Sequence, residues 1–141
     1  MRPAVWMYIL YCLLLVMRPA AADPPAADPA AVNVAGLQSS AEAGDRVAQY
    51  NLGVLHETGQ YGVREDKAEA VRWYRLSAQQ GYENAQYNLA VMYLRGEGVE
   101  QDREAAIRWF RLAAEQLNPA AMAALETLGE AVPAPAGAPG E

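Results

Sequence analysis

The side chains able to carry chemistry in this 141-residue chain are few and scattered. It has one histidine, His56, one cysteine, Cys12, and the serines Ser39, Ser40 and Ser77. An imidazole acting as a general base needs a nucleophile or carboxylate within hydrogen-bond reach, and a nucleophilic serine needs a motif that exposes and activates it. Neither pattern occurs. His56 stands in "NLGVLHETG" and the serines in "LQSSAE" and "RLSAQ". A lone cysteine makes no disulfide within the chain and no paired-thiol metal clip. No catalytic residue, metal ligand or cofactor is therefore expected. Charge excludes a further class: 11 basic against 17 acidic residues give a formal charge of −6. A chain so short of cations is a poor match for nucleic acid phosphates.

The elements that must position any binding surface lie between two unusual ends. Arg2 opens the chain, Ala4 to Met17 is unbroken apolar or aromatic sequence, and Ala20-Ala21-Ala22 offers a small-residue cleavage site. Residues 1–22 thus read as a signal peptide cleaved after Ala22, which predicts a periplasmic or secreted protein without a stable membrane anchor. The apolar run falls short of the ~20 residues a spanning helix wants. Cleavage would remove Cys12 along with Arg2 and Arg18, making the remainder still more acidic. Residues 23–36, "DPPAADPAAVNVAG", read as a Pro/Ala-rich linker, and residues 131–141 as a disordered Pro/Ala/Gly tail. The folded part is then 37–130, enough for one modest core.

That part repeats itself. "AQYNL" at Ala48 to Leu52 returns at Ala85 to Leu89, and "RWYRLSA" from Arg72 returns as "RWFRLAA" from Arg108. Self-similarity at this period marks a stacked-repeat architecture. Within each unit two helices are legible. Ala48, Leu52, Leu55 and His56 share one helical face, as do Ala85, Leu89, Met92 and Tyr93 in the next unit. Gly59 and Gly62, then Gly96 and Gly98, end those helices. The second helix of each unit starts at Asp66 or Asp102, with Glu69 placed for a capping box, and buries an arc including Trp73 and Tyr74 or Trp109 and Phe110. Leu37 to Ala43 matches the end of such a second helix, and Ala121 with Leu125 starts a third first helix. The predicted fold is all-α: an α/α solenoid of antiparallel helix pairs, with repeats at about 48–83 and 85–119, an N-terminal half-helix and a C-terminal capping helix.

The pattern resembles the Sel1-like repeat family, relatives of the tetratricopeptide repeat. It is carried by Ala48, Leu52, Gly53, His56, Gly59, Ala70, Trp73, Tyr74 and Ala78 in the first unit. In the second it is carried by Ala85, Leu89, Tyr93, Gly96, Ala106, Trp109, Phe110 and Ala114. Ala90 departs from it where glycine is usual, which suggests a slightly looser helix approach, and His56 stands where a tyrosine is usual. His56 thus occupies a packing position equivalent to Tyr93. The resemblance implies a protein-interaction or adaptor module rather than an enzyme. Cysteine-rich relatives have been linked to β-lactam binding or hydrolysis, but their paired cysteines are absent here.

Trp73 and Trp109 recur on the apolar arc and read as core. Arg72, Arg75, Arg108 and Arg111 recur on the opposite side and read as a solvated face rather than an anion-binding strip. The residues left over lie on the first helices. At 100° per residue, Tyr50, Val54 and Glu57 fall away from the buried arc of the first unit, and Tyr87, Val91 and Leu94 from that of the second. Asn51 and Asn88 border them. By resemblance, first helices line the concave surface of such solenoids, so these eight residues form the candidate groove for a protein or peptide partner, continued by Ala123 and Thr127. A second reading packs the tyrosines between neighbouring first helices. Two repeats and a closing helix also leave room for self-association, with Leu125 and Leu128 as the apolar residues that would seek another subunit.

Overall fold

The computed structural model describes residues 33–137, and every regular element among them is an α-helix. In order these are α1 (Val34–Glu42), α2 (Arg46–Thr58), α3 (Lys67–Gln79), α4 (Glu83–Arg95), α5 (Arg103–Glu115) and α6 (Pro119–Leu128). Each packs chiefly on the helices before and after it in the chain, which is the connectivity of an α-solenoid. The signal peptide assigned to 1–22 and the linker up to Val32 lie outside the described residues, as do 138–141. No helix among the described residues is long and apolar enough to cross a membrane.

Side chains at the boundaries explain why the helices start and stop where they do. Asp45 accepts from the backbone N–H groups of Val47 and Ala48, Asp66 from Glu69, Asp102 from Ala105 and Asn118 from Ala121, all at 2.8–3.0 Å. Each cap is worth about 1 kcal/mol. The capping box expected of Glu69 does not form. Its carboxylate turns to Arg72, and the backbone N–H of Asp66 goes to the His56 carbonyl at 2.8 Å. The equivalent bond, from Asp102 N–H to the Tyr93 carbonyl, measures 3.0 Å and confirms that His56 and Tyr93 are structural counterparts.

Three apolar clusters run along the stack. Ala41, Ala48, Leu52 and Trp73 join α1, α2 and α3. Ala70, Val71, Tyr74, Ala78, Ala85, Leu89 and Met92 join α3 and α4. Ala90, Ile107, Phe110, Ala114, Ala121 and Leu125 are among those joining α4, α5 and α6. Trp109 is only half-buried and touches the last two clusters, whereas Trp73 is 5% exposed.

Both expected ends need correction. The linker expected to run to Gly36 stops earlier, because Asn33 caps α1 through Gly36 N–H at 2.9 Å and the helix begins at Val34. The tail is not wholly without contacts. Val132 packs on the last cluster, and Ala136 N–H donates to the Glu115 carbonyl at 2.9 Å. The closing helix α6 has 10 residues against 13 in α4, since Gly129 takes up a left-handed conformation (φ 74°) and ends it a turn early. Leu125 is fully buried within the chain and is thus not free to seek another subunit, and Leu128 packs on the same cluster.

The turns leading into α2, α4 and α6 share one backbone conformation. Gly44 (φ 99°) and Gly81 (φ 82°) adopt it freely, but the third position is Leu117 at φ 64°, with 62% of its surface exposed. A left-handed conformation costs a residue with a Cβ about 1–2 kcal/mol, partly offset by the greater freedom glycine has when unfolded. Leu117→Gly is expected to stabilise the fold by about 0.5–1 kcal/mol, read as a higher urea midpoint at unchanged slope.

Candidate functional site

The first-helix face is built from α2 and α4, whose residues at spacings of three and four fall on one side. The Tyr50 ring lies 5.8 Å from that of Tyr74 and 5.2 Å, edge-on, from that of Tyr82, while Tyr87 lies 5.6 Å from Phe110. Aromatic pairs at such separations add about 0.5–1.5 kcal/mol beyond burial. Val54 packs beside Tyr50 on the α3–α4 cluster, and Val91 and Leu94 pack on the cluster that joins α4, α5 and α6. Glu57 accepts a hydrogen bond from the Tyr74 hydroxyl at 2.5 Å. Asn51 is exposed and Asn88 half-buried. The tyrosines and valines therefore help to join the units, while Val47 (44% exposed), Asn51, Thr58, Ala123 and Thr127 stand open to solvent.

Electrostatics follows from this packing. Burial pushes the Tyr74 phenol well up, and the neighbouring Glu57 carboxylate pushes it further. Tyr50 is raised too, by burial first and then by Tyr82, against a hydrogen bond from Asn88 that lowers it. Both hydroxyls are thus protonated packing groups.

The unit-to-unit comparison explains the sequence differences. Glu57 and Tyr74 correspond to Leu94 and Phe110, so a hydrogen-bonded pair in the first unit is replaced by an apolar pair in the second. Gly53 is needed only in the first. A Cβ there would lie 2.7 Å from the Tyr74 ring, whereas Ala90 fits fully buried in the cluster with Phe110. The Cβ of Ala90 is thus accommodated at a position where the first unit has no room for one.

The buried amides were not among the sequence candidates, although "AQYNL" contains them. Gln49 Nε2 donates to the Ala41 carbonyl at 3.0 Å, and Gln86 Nε2 to that of Ala78 at 3.2 Å. Gln80 and Gln116 then donate to their carbonyl oxygens at 2.7 and 2.8 Å. The exact repetition of glutamine beside each alanine was the available signal.

On the second-helix side a groove of about 670 Å³ opens between α1, α2 and α3, with Leu52, His56, Trp73 and Leu76 in its wall. The Arg72 guanidinium lies over the Trp73 ring at 4.3 Å from its centroid and pairs with Glu69. Trp73 Nε1 and His56 Nδ1 are buried without a hydrogen-bond partner. The other arginines are mostly engaged: Arg75 donates to the Tyr93 hydroxyl at 3.0 Å and Arg111 to Glu130 at 2.9 Å, with Arg108 exposed. The Ser77 hydroxyl is buried and donates to the Arg46 carbonyl at 2.6 Å, a structural role. No cluster of three or more His, Cys, Asp or Glu side chains able to hold a metal occurs among the described residues.

A family model described as Sel1 repeat matches residues 46–82 and 84–116. Among solved structures, a protective antigen present in uropathogenic Escherichia coli strains, displaying an SLR fold, is 41% identical with a TM-score of 0.62, over 66% of this chain and 20% of that one. A Sel1 repeat protein from Oxalobacter formigenes is 36% identical with a TM-score of 0.64, over 65% of this chain and 26% of that one. The chain thus spans about a fifth to a quarter of the length of these relatives.

Tyr74→Phe leaves Glu57 without its donor and is expected to cost about 1.5–3 kcal/mol in chemical denaturation. Tyr74→Phe with Glu57→Leu recreates the apolar pair of the second unit and should recover most of that loss. The phenols also set an alkaline limit. Because the folded state holds the Tyr74 and Tyr50 protons above their unfolded pKa of about 10, stability is full below that pH and falls as pH rises above it. A pH series of urea midpoints should show this fall, and Tyr74→Phe should make it shallower.

Proposed function

Since the chain belongs to the Sel1 repeat family, whose members are generally protein–protein interaction modules, we propose that it holds a protein partner across its first-helix face and works in the bacterial cell envelope as a scaffold or adaptor. The observation that carries this reading is the division of labour on that face. Half-buried Tyr50, Val54, Tyr87 and Val91 hold the units in register, so a rigid support lies beneath an open row that includes Val47, Asn51, Ala123 and Thr127. Rigid support lowers the ordering cost of binding. Asn51 offers both a donor and an acceptor to a partner's backbone, and Val47 offers apolar area.

The envelope location rests on the positive start, the apolar run and the small-residue site within residues 1–22. The reading gives the chain no catalytic step, in keeping with the scaffold character typical of this fold.

A photocrosslinking residue at Asn51 is expected to capture a defined envelope protein in cells, and the same substitution at exposed Arg108 is expected not to. Val47→Glu with Asn51→Arg should abolish capture while leaving the helical circular dichroism unchanged, as surface substitutions alter stability by only about 0.5 kcal/mol. Equal capture from both positions, or capture that survives the double substitution, refutes the assignment. Recovery of the uncleaved chain from the cytoplasm would refute the location.

A further inference from the structure

The two junctions of the stack are filled differently at the same place on the first-helix face. At the second, Tyr87, Leu94 and Phe110 pack with Ala124 as a mainly apolar set. At the first, the equivalent positions hold Tyr50, Glu57, Tyr74 and Asn88. Replacing a hydrogen-bonded pair by apolar groups of the same shape can be nearly neutral in stability, and the second junction joins two units of this chain in that way. Packing alone therefore gives no reason for a carboxylate and an amide at the first.

These polar groups converge without being sealed. The Tyr74 hydroxyl donates to one Glu57 oxygen, the Asn88 amide lies beside the Tyr50 and Tyr74 hydroxyls, and the Glu57 charge acts on both phenols. Tyr50, Glu57 and Asn88 are each half-buried. Among the described side chains, the buried polar atoms without a partner are Trp73 Nε1 and His56 Nδ1 alone. The second Glu57 oxygen and Asn88 Oδ1 accept from no group among the described residues, so solvent reaches both. Nor is Glu57 paired with a cation there. Lys67 feels its charge but pairs with Glu97 at 2.8 Å, and Arg46 lies over the Tyr82 ring at 6.0 Å.

Donors and acceptors then decide what fits. A carboxylate can only accept, and phenol and amide oxygens accept as well, so the occupant must bring several N–H groups. The charge of the cluster is that of Glu57, so a cationic donor makes the stronger, charge-assisted bonds. We propose that a lysine or arginine side chain of the partner protein seats against Glu57, Tyr50 and Asn88, making the first-helix face selective for a partner with an exposed basic residue. The site rests on the reading of that face as a protein-binding surface.

The test follows the amide resonances of the isotope-labelled full chain by NMR during titration with a blocked pentapeptide that carries one lysine between alanines. Counterparts carry arginine, norleucine or glutamate at the centre. The lysine and arginine peptides should move the Asn88 resonances and bind at least about tenfold more tightly than the other two. Glu57→Gln keeps an acceptor but removes the charge, and should weaken the lysine peptide about tenfold. Glu57→Leu with Tyr74→Phe installs the apolar pair of the second junction. It should remove the preference for basic peptides while the urea midpoint stays close to that of the parent, so the loss cannot be ascribed to unfolding. The proposal is overturned if norleucine or glutamate binds as well as lysine, or if no peptide moves the Asn88 resonances even at millimolar concentration. It is equally overturned if the double variant binds the lysine peptide as tightly as the parent. Capture at Asn51 without a preference for basic peptides overturns this site alone. Loss of that capture with the preference intact overturns the partner reading and, with it, the identity of the occupant.

Discussion

The stack depends on an amide buried between successive units. Gln49 is 5% exposed and Gln86 4%, and each links the last turn of the preceding second helix to the end of the following one, through Ala41 and Gln80 or Ala78 and Gln116. A buried carbonyl left without its donor costs about 1–3 kcal/mol, so a slip of one residue would forfeit two bonds at each junction. Alanines allow the close approach that these bonds require. Ala85, Ala106, Ala113 and Ala121 are wholly buried, and their small side chains bring the helices near enough for a glutamine to span the gap. Apolar burial holds the helices together, while the amides fix how they are aligned.

Much of this was legible in the sequence because it is periodic. The leucines, tryptophans and capping aspartates recur at fixed offsets, and each offset corresponds to one buried face or one helix start. What was less legible depends on geometry between units. Tyr50 and Tyr87 fall off the main helical arc, which suits either an open groove or contact with the next unit, and only the distances to Tyr74, Tyr82 and Phe110 reveal how they pack. The helical arc of α2 likewise gave no sign of the groove at His56.

Differences between the two units are as informative as their likeness. Glu57 with Tyr74 becomes Leu94 with Phe110, Gly53 becomes Ala90, and His56 with Gln38 becomes Tyr93 with Arg75. Each exchange is matched at the contacting position, so the units are separate solutions to one packing problem rather than interchangeable copies. The phenol of Tyr74 donates a hydrogen bond to a carboxylate, and its ring leaves no room for a Cβ at Gly53. Phe110 has no hydroxyl to satisfy, and apolar Leu94 takes the place of the carboxylate.

The same logic accounts for the unequal ends of the array. At the C-terminal end the last hairpin is tied by Arg103 to the Leu128 carbonyl at 3.0 Å, by Arg111 to Glu130, and by Ala136 to the Glu115 carbonyl. Val132 adds an apolar contact there. At the other end, α1 has 9 residues, against 13 in α3 and α5, and the link across to α2 is the Gln49 amide on Ala41 with a small apolar cluster. A solenoid must cover the face that a further repeat would have buried. Here α6 and the chain after it do so at one end. At the other, among the described residues, α1 packs through Leu37 and Ala41 on Ala48, Leu52 and Trp73, and the indole N–H of Trp73 is buried beneath it.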